Sequence, residues 1–290
     1  YRPFFRQRLY FTRDFNEMVY QQPKLFPTPD HSNLVICVSG VGGKKEATAL
    51  ITDCIPDLNC LDAGAQCFPR YYYDLDSDDL FSADAQGARR DGVTDYIQQE
   101  AKKKYPGKKI TKDDLFYYVY GILHSNDYRR EFASDLKKSL PRLPLLDSYD
   151  DFRAFSRAGR ELAKLHLNYE NQNPPKNVQV HGDAAGNFRV TKMKFIKKGQ
   201  RETLIFNDAI RIENIPLEVY DYVVNGRSAV EWLIDRYQVT THKDSGIVND
   251  PNDWSDQVGN PRYILDLILS VMTVSLETQK IVASLPTVEF

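Results

Sequence analysis

Four stretches of this sequence hold residues whose types could do chemistry. The first is Gly40-Val41-Gly42-Gly43-Lys44-Lys45, directly after a short apolar run. A nucleotide-hydrolysing loop of the form G-x-x-x-x-G-K-[ST] wraps phosphates with backbone N–H groups and holds magnesium with its final hydroxyl. Here Val38 stands where the first Gly belongs and Lys45 replaces the hydroxyl residue. Hydrolysis is therefore not expected, although two lysines on a glycine-rich loop still suit a phosphate backbone. The second is Asn173-Pro174-Pro175-Lys176. A methyltransferase loop that holds a flipped base needs an aromatic residue at the last place, and Lys176 occupies it. The third, Pro56-Asp57 with Glu100-Ala101-Lys102, echoes a metal-dependent nuclease pattern only loosely, because its parts are far apart and Lys102 belongs to a lysine run. The fourth is the set His124, His166 and His181, none of which stands beside an evident Ser or Cys nucleophile. No catalytic residue, metal ligand or cofactor is assigned to this chain.

The charges offer more than these motifs. With 38 Lys and Arg against 40 Asp and Glu, the net charge is −2. That excludes a protein basic over its whole surface and leaves room for local basic faces. Lys102, Lys103, Lys104, Lys108, Lys109 and Lys112 form one cluster; Arg189, Lys192, Lys194, Lys197, Lys198 and Arg201 form another; Asp74, Asp76, Asp78, Asp79 and Asp84 offset them. The candidate nucleic-acid contacts are Lys44 and Lys45 on the glycine loop, Lys192, Lys194, Lys197, Lys198 and Arg201 on a basic β segment, and Arg211, Arg227 and Lys243 near turns. Each competes with the plainer reading of a solvated surface charge.

Cys37, Cys54, Cys60 and Cys67 contain no C-x2-C pair and are too few for a disulfide scaffold, so they read as reduced thiols of a cytoplasmic protein. No apolar run reaches the roughly 18–20 residues of a membrane span. The first residue is Tyr1 rather than Met, so a fragment of a longer protein is expected.

The elements that must position these residues alternate in type. Residues 33–40 read as a buried strand, and 41–96 as loop-rich with short strands. From Thr111 the pattern is helical, with Leu115, Tyr118, Val119 and Ile122 on one face. A second helix is expected over about 126–139 and a third over about 150–168. Composition makes 169–186 a linker or long loop. Alternation of Met193 and Phe195 with Lys192 and Lys194 predicts an antiparallel β segment with one wet, basic face. Ser228 and Glu231 form a capping pattern, and Asn260-Pro261 opens the last helix. The expected class is α+β: a mixed loop-rich N-terminal part, central helices, an antiparallel β segment and C-terminal helices. Two subdomains are expected, 1–168 and 187–290, joined by 169–186.

Several stretches in order resemble one family: Tyr1-Arg2-Pro3-Phe4, Leu25-Phe26-Pro27-Thr28-Pro29, Gln66-Cys67-Phe68-Pro69, Asp114 to Ser125, Tyr128-Arg129, Leu140-Pro141-Arg142-Leu143-Pro144, Gly159-Arg160-Glu161-Leu162 with Leu165-His166, and Trp232-Leu233-Ile234. Together they resemble the C-terminal target-recognition (specificity) domain of type ISP restriction–modification enzymes and their helicase-annotated relatives. The resemblance implies sequence-specific recognition of double-stranded DNA by the last module of one polypeptide. Nuclease, helicase-like ATPase and adenine methyltransferase parts would lie upstream, using ATP, Mg2+ and S-adenosylmethionine; the methyltransferase would be the partner within the chain. The shared motifs read as architectural, and they mark no base-reading residue. Two other readings compete: a scaffold that docks the methyltransferase and touches only DNA phosphates, and a residual nuclease or ATPase.

Overall fold

In the computed structural model, which describes residues 3–74, 88–197 and 199–290, the chain divides into two units. Tyr1, Arg2, Asp76, Asp78, Asp79, Asp84 and Lys198 lie outside the described residues.

The first unit comprises Arg6–Leu167 and Ile281–Phe290. It contains helix α1 (Gln22–Leu25), strands β1 (Val35–Val38), β2 (Ala49–Thr52), β3 (Gln66–Pro69), β4 (Tyr71–Asp74) and β5 (Ala88–Asp91), and helices α2 (Asp95–Lys104), α3 (Lys112–His124), α4 (Asn126–Glu131) and α5 (Tyr149–Leu167). The strands form an antiparallel sheet of order β2-β1-β3 and a separate β4–β5 pair. Strand β1 is buried along its whole length, as its unbroken apolar run requires. Its Ile36 and Val38 join Ile51 in one core with Tyr118, Tyr120, Phe152 and Phe155 from α3 and α5.

Helix α3 starts at Thr111 for a local reason. The Thr111 hydroxyl accepts from the Asp114 N–H (3.1 Å), and the Asp114 carboxylate accepts from the Thr111 N–H (3.0 Å). The α3–α5 pair approaches at glycines: a Cβ on Gly159 would strike the carbonyl of Tyr117, and one on Gly121 that of Phe155. Three tyrosines strap the segment after α4. Tyr128 Oη donates to Arg142 O (3.0 Å), Tyr118 Oη to Pro144 O (2.6 Å) and Tyr105 Oη to Leu146 O (2.5 Å). Part of the high aromatic content is thus spent on holding Leu140–Leu146, where prolines leave few N–H groups for regular structure.

Two elements differ from expectation here. Helix α4 stops at Glu131, and residues 132–138 form turns closed by Leu136 N–H to Phe132 O and Ser139 N–H to Asp135 O. Ser134 and Asp135 there favour turns over continued helix. Helix α2 is additional. Thr94 caps it, and Lys102, Lys103 and Lys104 fill its last turn, where the dipole favours cations.

The second unit comprises residues 3–5 and Asn168–Lys280. It holds strands β6 (Gln179–His181), β7 (Lys194–Lys197), β8 (Gln200–Ile205) and β9 (Arg211–Glu213), the short pairs β10 (Val223–Val224) with β11 (Arg227–Ser228) and β12 (Thr240–Thr241) with β13 (Val248–Asn249), and helices α6 (Ala229–Arg236), α7 (Asn252–Gln257) and α8 (Tyr263–Ala283). The expected antiparallel segment is a four-stranded sheet of order β6-β9-β8-β7. The stretch 169–186, whose composition suggests a linker, supplies β6 and anchors to α8: Ser270 Oγ donates to Tyr169 O (2.6 Å) and accepts from Gln172 N–H (2.7 Å). Phe4 packs edge-on against Tyr169 and Tyr222, and Phe5 against Tyr237. Ser228 caps α6, accepting from Glu231 N–H (3.3 Å). Asn225-Gly226 turns β10 into β11 with positive φ at both residues (54° and 76°). Asn260 Oδ1 accepts from Arg262 N–H, and regular helix follows from Tyr263. The whole is α+β. Among the described residues no helix is long and apolar enough to cross a membrane.

Candidate nucleic-acid interface

The glycine loop lies in the first unit, between β1 and β2. A strand follows it, whereas a nucleotide-hydrolysing loop opens a helix. One carboxylate shapes it: Asp62 Oδ2 accepts from the backbone N–H groups of Lys44 (2.8 Å) and Lys45 (3.1 Å). The Lys45 N–H is the largest influence holding the Asp62 carboxyl below its ordinary value. The amides that a phosphate-wrapping loop would use are thus already bound to an anion of the protein itself. Both lysine side chains are exposed and remain able to reach a backbone phosphate.

The second unit carries the basic β face. Register fixes which residues share a side. Val180 pairs with Ile212, Ile212 with Leu204, and Leu204 with Phe195, so these four form one row on the inner face. The neighbouring row is His181, Arg211, Ile205 and Lys194, and by alternation it lies on the outer face. His181, Arg211 and Lys194 are exposed and Ile205 is half-buried between the two cations. Lys192, two residues before Lys194, takes the same side, while Met193 between them is buried. Lys197 sits past a break in the β7–β8 register, exposed. Among the described residues none of Lys192, Lys194, Lys197 and Arg211 has an acidic partner within ion-pair distance. His181 Nε2 lies 3.6 Å from Glu213 Oε2 on the adjacent strand.

Arg201 and Arg227 are placed differently. Arg201 pairs with Glu231 (3.3 Å) and lies over the Tyr220 ring (5.3 Å); Arg227 pairs with Asp235 (3.0 Å) and lies over Trp232 (4.9 Å). Their acids are one turn apart on α6, so both guanidinium groups have local duties. Lys243 is on the fully exposed loop of the β12–β13 hairpin. The same hairpin exposes Ile247 and Val248 (62% and 57%), apolar residues of the type that touches thymine methyl groups. Neither stands in a periodic pattern that sequence reasoning could have used. Of the other charged clusters, Lys104 binds Asp147 (2.8 Å) and the Leu145 carbonyl (2.6 Å), Lys112 binds Asp91 and Asp95, and Arg189 binds Asp250 and Asp256.

The remaining sequence motifs resolve into structure. Asn173 lends its carbonyl to Thr273 Oγ1 (2.6 Å), Asp57 accepts from Asn59 N–H in a turn, and Glu100 pairs with Lys103. The two histidines distant in sequence meet: the His124 and His166 rings are 5.4 Å apart in the α3–α5 core. Tyr120 Oη contacts His166 Nδ1 (2.6 Å), and His124 Nδ1 contacts Tyr120 O (2.8 Å). Burial pushes the His124 pKa down to about 4 and that of His166 well below its ordinary value, so both are neutral structural residues.

The profile of the Type ISP C-terminal specificity domain matches residues 1–267. Among solved structures, the chain is similar to a nuclease-deletion mutant of the Type ISP restriction–modification enzyme LlaGI in complex with a DNA substrate mimic, at 43% identity and TM-score 0.83 over 99% of this chain. It is similar to the ATP-dependent Type ISP restriction–modification enzyme LlaBIII bound to DNA, at 40% identity and TM-score 0.87 over 99% of this chain. A DrdV–DNA complex matches at 30% identity and TM-score 0.83 over 100% of this chain. The chain spans 24%, 18% and 28%, respectively, of the length of those three. Among curated proteins none matches.

Proposed function

The chain belongs to the family of Type ISP C-terminal specificity domains, and from that premise we propose that it reads the sequence of double-stranded DNA as one module of a restriction–modification enzyme. The observation that carries the reading to particular residues is the outer row of the four-stranded sheet. Arg211 and Lys194 stand two strands apart, about 10 Å, which is less than the roughly 12 Å width of a B-DNA major groove. Both lack an acidic partner among the described residues, and Lys192 extends the row. Cations without an acidic partner among the described residues suit phosphates, and an Arg among them can also grip a guanine edge.

Lys44, Lys45, Lys197, Lys198 and Lys243 are proposed as further phosphate contacts, with Arg201 and Arg227 secondary because each already serves α6. Nuclease, ATPase and adenine methyltransferase activities, with ATP, Mg2+ and S-adenosylmethionine, are assigned to other parts of a longer cytoplasmic polypeptide. Its methyltransferase domain is the proposed partner for exposed Leu9, Tyr10, Phe15, Met18 and Tyr20. That apolar stretch favours a docking role in addition to DNA reading.

Selection of duplexes from a randomised pool by the isolated chain tests the proposal. One enriched motif is expected, with affinity falling steeply as salt rises. Equal retention of all duplexes would leave only the scaffold with phosphate contacts. Turnover of ATP or plasmid DNA with magnesium, abolished by Lys44→Ala, would overturn the assignment of catalysis to other parts.

A further inference from the structure

Three of the four cysteines meet in the first unit. Cys37 and Cys67 are directly opposed on β1 and β3, their sulfurs 3.9 Å apart, with the Cys60 thiol close enough to act on the Cys37 titration. Opposed residues of an antiparallel pair have Cα atoms about 4.5–5.5 Å apart. A disulfide spans about 4.4–6.8 Å between Cα atoms. The strand register therefore already satisfies the backbone requirement, and side-chain rotation can close the rest.

The two opposed thiols are unequal. Cys37 is buried at 2% exposure, on the face of β1 opposite Ile36 and Val38. Burial beside two other thiols pushes its pKa up, with the hydrogen bond to Cys60 the largest cause. Cys67 lies on an edge strand and is partly exposed. The contact with Cys37, first, and the neighbouring Gln22 side chain pull the Cys67 pKa down against the effect of burial. Among the described residues no cluster of His, Cys, Asp or Glu is arranged to hold a metal ion. Exposed Cys54, bonded to the Thr52 hydroxyl (3.3 Å), provides an internal control.

We propose that Cys67 and Cys37 form a thiol-oxidation site, which takes a low-molecular-weight disulfide as oxidant and closes as an internal Cys37–Cys67 disulfide. The Cys67 thiolate attacks one sulfur of the small disulfide, forming a mixed disulfide and releasing one small thiolate, which takes up the Cys67 proton. The Cys37 sulfur then attacks Cys67 Sγ and expels the second small thiolate, which carries off the Cys37 proton. Two protein thiols are oxidised by two electrons, and one small disulfide is reduced to two thiols. The bond would tie together the ends of residues 38–66. That segment carries the glycine loop and Asp62, the carboxylate that binds the Lys44 and Lys45 amides. The site stands whether or not those lysines touch DNA.

The test is exposure of the full chain to oxidised glutathione, trapping with iodoacetamide and peptide mapping without reductant. A Cys37–Cys67 cross-linked peptide is expected, with Cys54 alkylated and the link reversed by dithiothreitol. Cys60→Ser should retain the link, and Cys67→Ser should leave Cys37 reduced. The oxidised chain should unfold several degrees higher than the reduced one. A Cys37–Cys60 link, glutathione confined to Cys54, or full alkylation of Cys37 and Cys67 after prolonged exposure overturns the proposal. Should Cys67→Ser fail to fold, the wild-type map alone decides among these outcomes.

Discussion

The α3–α5 pair of the first unit and the four-stranded sheet of the second use polar residues in opposite ways. In and beside the helix pair these polar side chains are answered within the fold: Tyr118, and Tyr105 at the end of α2, by carbonyls, His166 by Tyr120, Asp114 by Thr111 and Arg153. On and beside the outer face of the sheet, Lys192, Lys194 and Arg211 are exposed, with no acid within ion-pair distance among the described residues. A side chain whose hydrogen bonds are met inside the fold contributes to one structure. A cation left unmet on a rigid sheet is available to a ligand and adds little to stability. The first set is architectural and the second is the set proposed for recognition, and each can be disturbed without the other.

The largest disturbance should come from Gly159→Ala. The new Cβ meets the Tyr117 carbonyl and the Gly121 N–H, which are backbone and cannot rotate away. A loss of about 3 kcal/mol or more is expected, read as a shift of the first unit's transition in urea. A variant within about 0.5 kcal/mol of the parent would mean that the helices part easily.

The buried histidines give the next largest effect. Unfolded histidine titrates near 6.5, while burial holds His124 down to about 4 and His166 lower still. Between those values the unfolded chain binds more protons, so stability is full above about pH 6.5 and falls as the pH drops toward 4. His124 alone should remove ~2 kcal/mol by about pH 5. The lowered carboxyls of Asp91 and Asp114 act in a lower window, losing their contribution as pH falls below their unfolded value of about 3.9. Urea midpoints at pH 7 and pH 5 check this; a flat profile across that range would place water at the histidines.

The helix pair was legible in the sequence because its causes are local or periodic. Thr111 with Asp114 marks a start, and Leu115, Tyr118, Val119 and Ile122 mark a face. The wet side of the sheet was legible too, from Met193 and Phe195 alternating with lysines. Three things were not. Strand β6 hides in a Pro- and Asn-rich stretch because three residues are too few for periodicity, and only pairing with β9 makes them a strand. The sorting of basic clusters into tied and untied cations needs partners distant in sequence, as with Lys104 and Asp147 or Arg189 and Asp256. The meeting of His124 with His166 follows from the Gly121–Gly159 approach, which no spacing rule announces. Family motifs were legible, yet they include the buried Tyr118, Tyr120 and Tyr128 and the closely packed Gly121 and Gly159, so they identify the scaffold and are silent on what it reads.

The recognition half of the comparison is sharpened by Lys194→Glu with Arg211→Glu. Stability should stay within about 0.5 kcal/mol. DNA affinity should fall about tenfold or more, ~1.4 kcal/mol or more. The slope of log affinity on log salt should shrink by roughly two if both residues meet phosphates. A weakened but unshrunken slope, with altered sequence preference, would assign Arg211 to base edges. Unchanged affinity and preference would remove this face from the interface.

The smallest effect is expected at Arg227, and it tests whether the division between tied and untied cations matters. Its guanidinium is 42% exposed, pairs with Asp235 at 3.0 Å and covers Trp232 at 4.9 Å. Removing it by Arg227→Ala forfeits an exposed ion pair and a ring contact, together below about 1 kcal/mol. Because those partners already fix the group, DNA affinity should change less than about twofold, ~0.4 kcal/mol. An effect on DNA as large as that of the Lys194 and Arg211 pair, with stability unmoved, would show that Asp235 positions the guanidinium for phosphate. In that case partners within the fold would be a sign of a prepared contact, and Arg201, held in the same manner by Glu231 and Tyr220, would join the interface on equal terms with the untied lysines.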